Sequence, residues 1–137
     1  LLQNAPTIDL EQGYGEDEAG MSMPSKEEKL MRKINEAMDE QKLYQEAGFT
    51  IAMLANKLST SEQRLRTTIN KAMGFRNFNQ FLNYYRIREA THLIAKTEEP
   101  IASIAMDVGY NSLSSFNKAF KENLGLPPRK FRNTSQA

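Results

Sequence analysis

The chain has no cysteine, no tryptophan and a single histidine, His92, among its 137 residues. Without cysteine it forms neither a disulfide nor a thiolate metal site, and one histidine offers too few ligands for zinc. It contains no glycine-rich loop ending in Lys-Ser/Thr that would cradle a phosphate, and no base is placed to activate a serine or threonine. We therefore predict no catalytic residue, no metal and no cofactor, and expect that the protein is not an enzyme.

Long apolar runs are also missing, since no stretch approaches the roughly 20 residues that span a bilayer. The lack of cysteine fits a reducing compartment, so we expect a cytoplasmic protein. The chain opens with Leu1 and not with methionine, which leads us to expect a piece of a longer protein.

Charge is distributed unevenly although the formal net charge is only +1. Residues 1–45 carry five Lys or Arg against ten Asp or Glu, whereas residues 46–137 carry 13 against 7. Fixed positive charge raises both the affinity and the encounter rate for phosphates, so a basic body favours a polyanionic partner.

The first 45 residues fall into two segments. Residues 1–23 combine glycine, proline and acidic residues without periodicity, which is typical of a flexible acidic linker. Residues 24–45 have apolar residues at helical spacing and predict an amphipathic helix ending near Gly48. The favoured interpretation is an added structural helix that packs on the domain that follows. The other is a docking or dimer surface, suggested by Met31 and Met38, which look exposed.

One pattern then occurs twice. The apolar block Ile51, Ala52, Leu54, Ala55 and Leu58 matches Ile101, Ala102, Ile104, Ala105 and Val108 at an offset of 50. After a turn, Ser61, Leu65, Ile69 and Gly74 match Ser112, Phe116, Phe120 and Gly125 at an offset of 51, so the second turn has one extra residue. Each copy predicts a helix, a turn and a capped second helix, which is a helix-turn-helix.

The resulting expectation is an all-α fold: two helix-turn-helix subdomains joined by a long connecting helix, with an extra N-terminal helix. The boundaries are 46–77 for the first subdomain, 78–96 for the connecting helix and 97–133 for the second subdomain, followed by a tail at 134–137. A connecting helix of this length extends about 27 Å. With the turns that flank it, it would set the two second helices, about 61–73 and 112–124, at the spacing of neighbouring major grooves, about 34 Å.

The second helix of each pair has polar and basic residues on its outward side. Such side chains hydrogen-bond base edges and phosphates, which favours sequence-specific binding of double-stranded DNA. The alternative is a helical protein–protein interaction module that does not bind DNA. Lys71 is a candidate DNA contact because it is an outward cation on the first of these helices.

The segment "IASIAMDVGYNSLSSFNKAFKENLGLPPRKFR" resembles the C-terminal signature of AraC/XylS-type transcription regulators, and "FNQFLNYYRIREATHLI" resembles their connecting helix. The resemblance covers about residues 46–133. It implies base contacts by Gln63, Arg66 and Thr67 on the first recognition helix and by Ser114, Ser115 and Lys118 on the second. It further implies backbone contacts by Arg64, Asn117 and Lys121.

The same resemblance implies partners. They are promoter or operator DNA, RNA polymerase, an N-terminal sensor or effector domain outside this chain, and a second copy that dimerises through that absent region. The "FNxFLNYYR" variant resembles members whose N-terminal part is a membrane-bound sensor, which leaves open an inner-membrane anchor for the full-length protein.

Overall fold

A computed structural model describes residues 23–135. Nearly all of the predicted acidic linker, and the last two residues of the predicted tail, lie outside this range. The described residues form helices and no strand, which confirms the all-α prediction. None of the helices between residues 23 and 135 is both long and apolar enough to cross a membrane.

The described chain divides into two compact units. The first unit comprises residues 23–43 and 50–78, and the second comprises residues 44–49 and 79–135. The second unit therefore includes a short segment that precedes the first helix-turn-helix in sequence.

In the first unit, α1 (Lys26–Asn35) begins with a capping box, which is typical of a Ser-x-x-Glu sequence. The Ser25 hydroxyl accepts from the Glu28 amide at 3.1 Å, and the Glu28 carboxylate accepts from the Ser25 amide at 2.8 Å. The helix continues as a wider π-helical turn over Glu36–Glu40. One side of this continuous helix is buried, through Leu30, Ile34, Ala37 and Met38.

Two expectations about this segment are wrong. The helix does not run to Gly48, because Lys42 adopts a left-handed φ of 52° and Leu43–Gln45 form a separate 3₁₀ turn. Met38 is not exposed, since its accessible fraction is 0%, whereas Met31 is half-buried. Helical periodicity identified the apolar residues but did not distinguish those that the rest of the unit covers.

The first helix-turn-helix consists of α2 (Ile51–Lys57) and α3 (Glu62–Thr67), the latter extended by a π-helical turn at Thr68–Ala72. Thr50 and Ser61 cap the two helices, each accepting a backbone N–H at 3.1 Å. Satisfying otherwise unpaired donors in this way fixes where each helix starts. α1 packs against the Thr68–Ala72 turn of the same unit.

The second unit contains α4 (Phe78–Lys96, all but its first residue), α5 (Ile101–Asp107), α6 (Leu113–Leu124) and α7 (Pro128–Ser135). Ser112 caps α6, and Gly125 ends it in the left-handed conformation at φ 82°. The core of the unit is made of side chains that are fully buried: Ile87, Ala90, Ile94, Ile104, Ala105, Val108, Phe116 and Phe120. The predicted tail begins inside a helix, because Thr134 and Ser135 belong to α7.

The two turns differ as the sequence offsets predict. The first spans Leu58–Ser61, and the second spans Val108–Ser112, one residue longer. Each turn has one residue with positive φ, Ser59 at 55° and Gly109 at 116°. Both turns therefore use a left-handed residue to redirect the chain from the first helix of the pair to the second.

Candidate nucleic-acid interface

The α3 helix and the turn that extends it present one buried side and one exposed side. Leu65 and Ile69 are 0% and 2% exposed and anchor the helix in the first unit. The residues on the other side are all exposed, and they include every candidate predicted here: Gln63, Arg64, Arg66, Thr67 and Lys71. The helix thus carries five side chains with hydrogen-bond donors on a surface open to a ligand.

Arg66 forms an ion pair that the sequence analysis did not anticipate. Its guanidinium lies 3.6 Å from the Glu62 carboxylate, one helical turn earlier, with the two side chains 63% and 50% exposed. An exposed i,i+4 pair of this kind contributes little to stability, so it does not prevent Arg66 from binding elsewhere. The spacing of Glu62 and Arg66 is the signal that would have revealed the pair.

The α6 helix has the same organisation in the second unit. Phe116 and Phe120 are fully buried. The five candidates on this helix are exposed: Ser114, Ser115, Asn117, Lys118 and Lys121. Ser112 accepts from the Ser115 amide at 3.1 Å and donates to the Ser115 hydroxyl at 3.0 Å. Because Ser115 takes part in the helix cap, its hydroxyl is less free than that of Ser114.

Ser115 and Lys118 also border a polar cleft of about 410 Å³ within the second unit. Its floor includes Arg86, which is only 7% exposed, and Tyr110, whose hydroxyl donates to Asn83 Oδ1 at 2.6 Å. Burial lowers the pKa of Arg86 and raises the pKa of Tyr110. The cleft floor is thus held by internal contacts, and Ser115 and Lys118 of α6 lie at its border.

Lys121 borders a second, apolar groove of about 490 Å³ in the same unit. Two further exposed cations, Arg129 and Lys130 of α7, line this groove and were not among the predicted contacts. Leu113 is 38% exposed at the first position of α6, where an apolar group can contact a thymine methyl. Arg129, Lys130 and Leu113 are therefore additional candidate DNA contacts.

The remaining chemistry of the described residues is limited. Between residues 23 and 135 no three His, Cys, Asp or Glu side chains come together as metal ligands would. His92 lies exposed on α4. The exposed side chains of the two second helices are mainly hydrogen-bond donors and cations.

A family model described as a helix-turn-helix domain matches residues 54–134. The chain belongs to the AraC-type helix-turn-helix family. Members of this family are DNA-binding transcription regulators, and this chain is a DNA-binding domain of that type.

Individual relatives agree with this assignment. The chain is 36% identical over 78 residues to the transcriptional activator FapR of Escherichia coli, covering 57% of this chain and 29% of FapR. The C-terminal domain of AraT, a response regulator from Geobacillus stearothermophilus, is 30% identical with a TM-score of 0.72, covering 80% of this chain and 88% of that domain. The DNA-binding domain of AdpA, solved with a target DNA, shares the fold with a TM-score of 0.67 at 20% identity. The match covers 77% of this chain and 90% of that domain.

The chain spans only 14 to 29% of the length of curated regulators that it matches. Those regulators therefore contain large regions that have no counterpart here.

Proposed function

We propose that the protein binds a specific, asymmetric duplex site by placing α3 and α6 in successive major grooves. The observation that carries the proposal is the repeated geometry: each second helix is capped by a serine, anchored by two buried apolar residues and exposed along its polar side. Because the two polar sides have different residues, the two half-sites should differ in sequence.

The roles of individual residues are those that the resemblance to AraC-type regulators implies. Gln63, Arg66 and Thr67 on α3 contact bases, as do Ser114, Ser115 and Lys118 on α6. Arg64, Asn117 and Lys121 contact the DNA backbone, and Lys71 is a further DNA contact. The short serine side chains of α6 discriminate between bases less strongly than long hydrogen-bond donors would. α6 therefore contributes more to affinity than to specificity.

The larger protein is part of the same proposal. An upstream sensor or effector domain would control this domain and provide a dimer contact, and RNA polymerase would be the partner at the promoter. The protein would act in the cytoplasm, either free or tethered to the inner membrane by the upstream part.

Arg66→Ala is expected to lower affinity for the selected site by about 1–3 kcal/mol and to relax base preference at one position, because a bidentate donor to a base edge is removed. The measurement is binding to the selected duplex and to random duplex at one salt concentration. Equal losses on both duplexes would contradict a base contact.

Two variants control this experiment. Lys121→Ala removes a proposed phosphate contact, so it should weaken all sequences alike and lower the slope of log K against log salt by roughly one. Glu62→Gln breaks the ion pair while retaining Arg66, and it should preserve the preference for the selected site. If Glu62→Gln lost the preference for the selected site, Glu62 and not Arg66 would be the residue that contacts the base.

A further inference from the structure

Three lysines of α1 and one arginine of α3 line a single pocket in the first unit. The pocket has a volume of about 230 Å³ and is lined by Lys26, Lys29, Leu30, Lys33, Leu58, Ser59, Thr60 and Arg64. Four of these residues are cationic, and none is acidic. α1 precedes residues 54–134, which the family model matches, so that match does not cover the three lysines of this pocket.

The position of α1 fixes this cluster. Lys26, Lys29 and Lys33 recur at intervals of three and four residues and so share one side of the helix. Leu30, between them, is 4% exposed and packs inward. The Lys33 ammonium donates to the Leu58 carbonyl oxygen at 3.3 Å, which ties α1 to the turn of the helix-turn-helix.

The pocket suits an oxyanion. Lys26, Lys29 and Arg64 are exposed cations that can supply several N–H donors to one phosphate group. The Thr60 hydroxyl, which also lines the pocket, is buried and has no hydrogen-bond partner among the described residues. A phosphate oxygen could accept a hydrogen bond from it.

Arg64 connects the pocket to the proposed recognition surface. It is the third residue of α3, and it also borders a shallow depression shared with Gln63 and Thr67. Glu27 of α1 also borders that depression. The N-terminal residues of a recognition helix enter the groove, so a duplex on α3 would bring its phosphates next to Arg64.

We propose that this pocket, the α1 phosphate site, holds a backbone phosphate flanking the groove that α3 enters. α1 thereby extends the DNA interface beyond the helix-turn-helix. This inference rests on the proposed function, since it requires α3 to lie on a duplex. The contact would read no bases, because a phosphate is the same at every position.

The test is the double variant Lys26→Gln/Lys29→Gln, with Lys33 retained because it holds the turn. We expect the salt slope of duplex binding to fall by about one, because one phosphate contact is lost, and affinity near 0.15 M salt to fall about fivefold. The ratio of specific to random binding should stay unchanged. The matched control is Lys57→Gln/Lys96→Gln, which removes the same charge from exposed residues outside the pocket.

Ethylation interference then locates the contact. Ethylating one phosphate beside the α3 half-site should weaken the wild type and the control but have little effect on the double variant. A double variant with the slope and interference pattern of the control would overturn the inference. If instead the wild-type protein showed no salt-sensitive binding to any duplex, the proposed function itself would fail.

Discussion

Gly109→Ala is expected to be among the most destabilising single substitutions in the second unit, lowering the free energy of unfolding by about 2–5 kcal/mol. Gly109 has a φ of 116°, and an added Cβ would lie 2.4 Å from the Tyr44 carbonyl oxygen and 2.7 Å from Arg86 Nε. Those two atoms are hydrogen-bonded to each other at 2.7 Å. Neither can retreat without breaking that bond, so backbone strain and steric overlap add together.

The matched control is Gly125→Ala. Gly125 also has a left-handed φ, 82°, but an added Cβ would meet nothing within 4 Å. That variant should lose only about 1 kcal/mol, from the backbone conformation alone. Urea unfolding compares the two through their midpoints at unchanged m-values. If Gly109→Ala lost no more stability than Gly125→Ala, steric overlap with Tyr44 and Arg86 would not contribute to the loss of stability.

Arg86→Met is expected to lower the free energy of unfolding by about 2–4 kcal/mol, because hydrogen bonds from a charged donor are lost and buried acceptors are left unpaired. Arg86 Nε donates to the Tyr44 carbonyl oxygen and Nη2 donates to that of Glu46 at 3.1 Å. The guanidinium carbon also lies 5.3 Å from the centre of the Tyr110 ring. Methionine fills the volume but supplies none of these contacts.

Arg86→Lys should not restore stability, because a single ammonium does not reproduce the planar fork that reaches two carbonyls. The control is Lys96→Met, which removes an exposed cation from the same helix and should change stability by less than about 1 kcal/mol. Thermal or urea unfolding measures the free energy of unfolding of each variant. DNA affinity measured where every variant is folded should be unaltered, because Arg86 is buried. A selective loss of sequence preference in Arg86→Met would contradict this structural role.

Local sequence signals were sufficient to predict most features of the two helix-turn-helix pairs. Ser61 and Ser112 act as caps, and Gly125 ends α6, because each depends on its own backbone neighbours. The exposed positions of α3 and α6 could also be predicted, since Leu65 and Phe116 fix which side of each helix faces inward.

What the sequence did not reveal depends on contacts between distant residues. The helix ends at Glu40 although the apolar pattern continues, and Tyr44 instead stacks on the Tyr85 ring at 5.9 Å and donates to Glu89 at 2.9 Å. Gly109 follows the first helix of its pair, yet the carbonyl oxygen that an added Cβ would meet belongs to Tyr44, 65 positions earlier. Periodicity carries no information about such partners.

The α1 phosphate site was missed for a related reason. Residues 1–45 are acidic on average, which conceals the basic side of α1. The pocket forms only when Lys26 and Lys29 meet the Leu58–Thr60 turn and Arg64, about 30 residues later. Averaging charge over a segment therefore hid a local surface of the opposite sign.

The most direct test of the account is hydroxyl-radical footprinting on a duplex selected from a random pool. A single chain that places α3 and α6 in successive grooves should protect two windows about 10 base pairs apart on one face of the duplex, with unlike sequences in the two windows. One window alone, two windows of identical sequence, or no selected sequence at all would contradict binding by two different recognition helices.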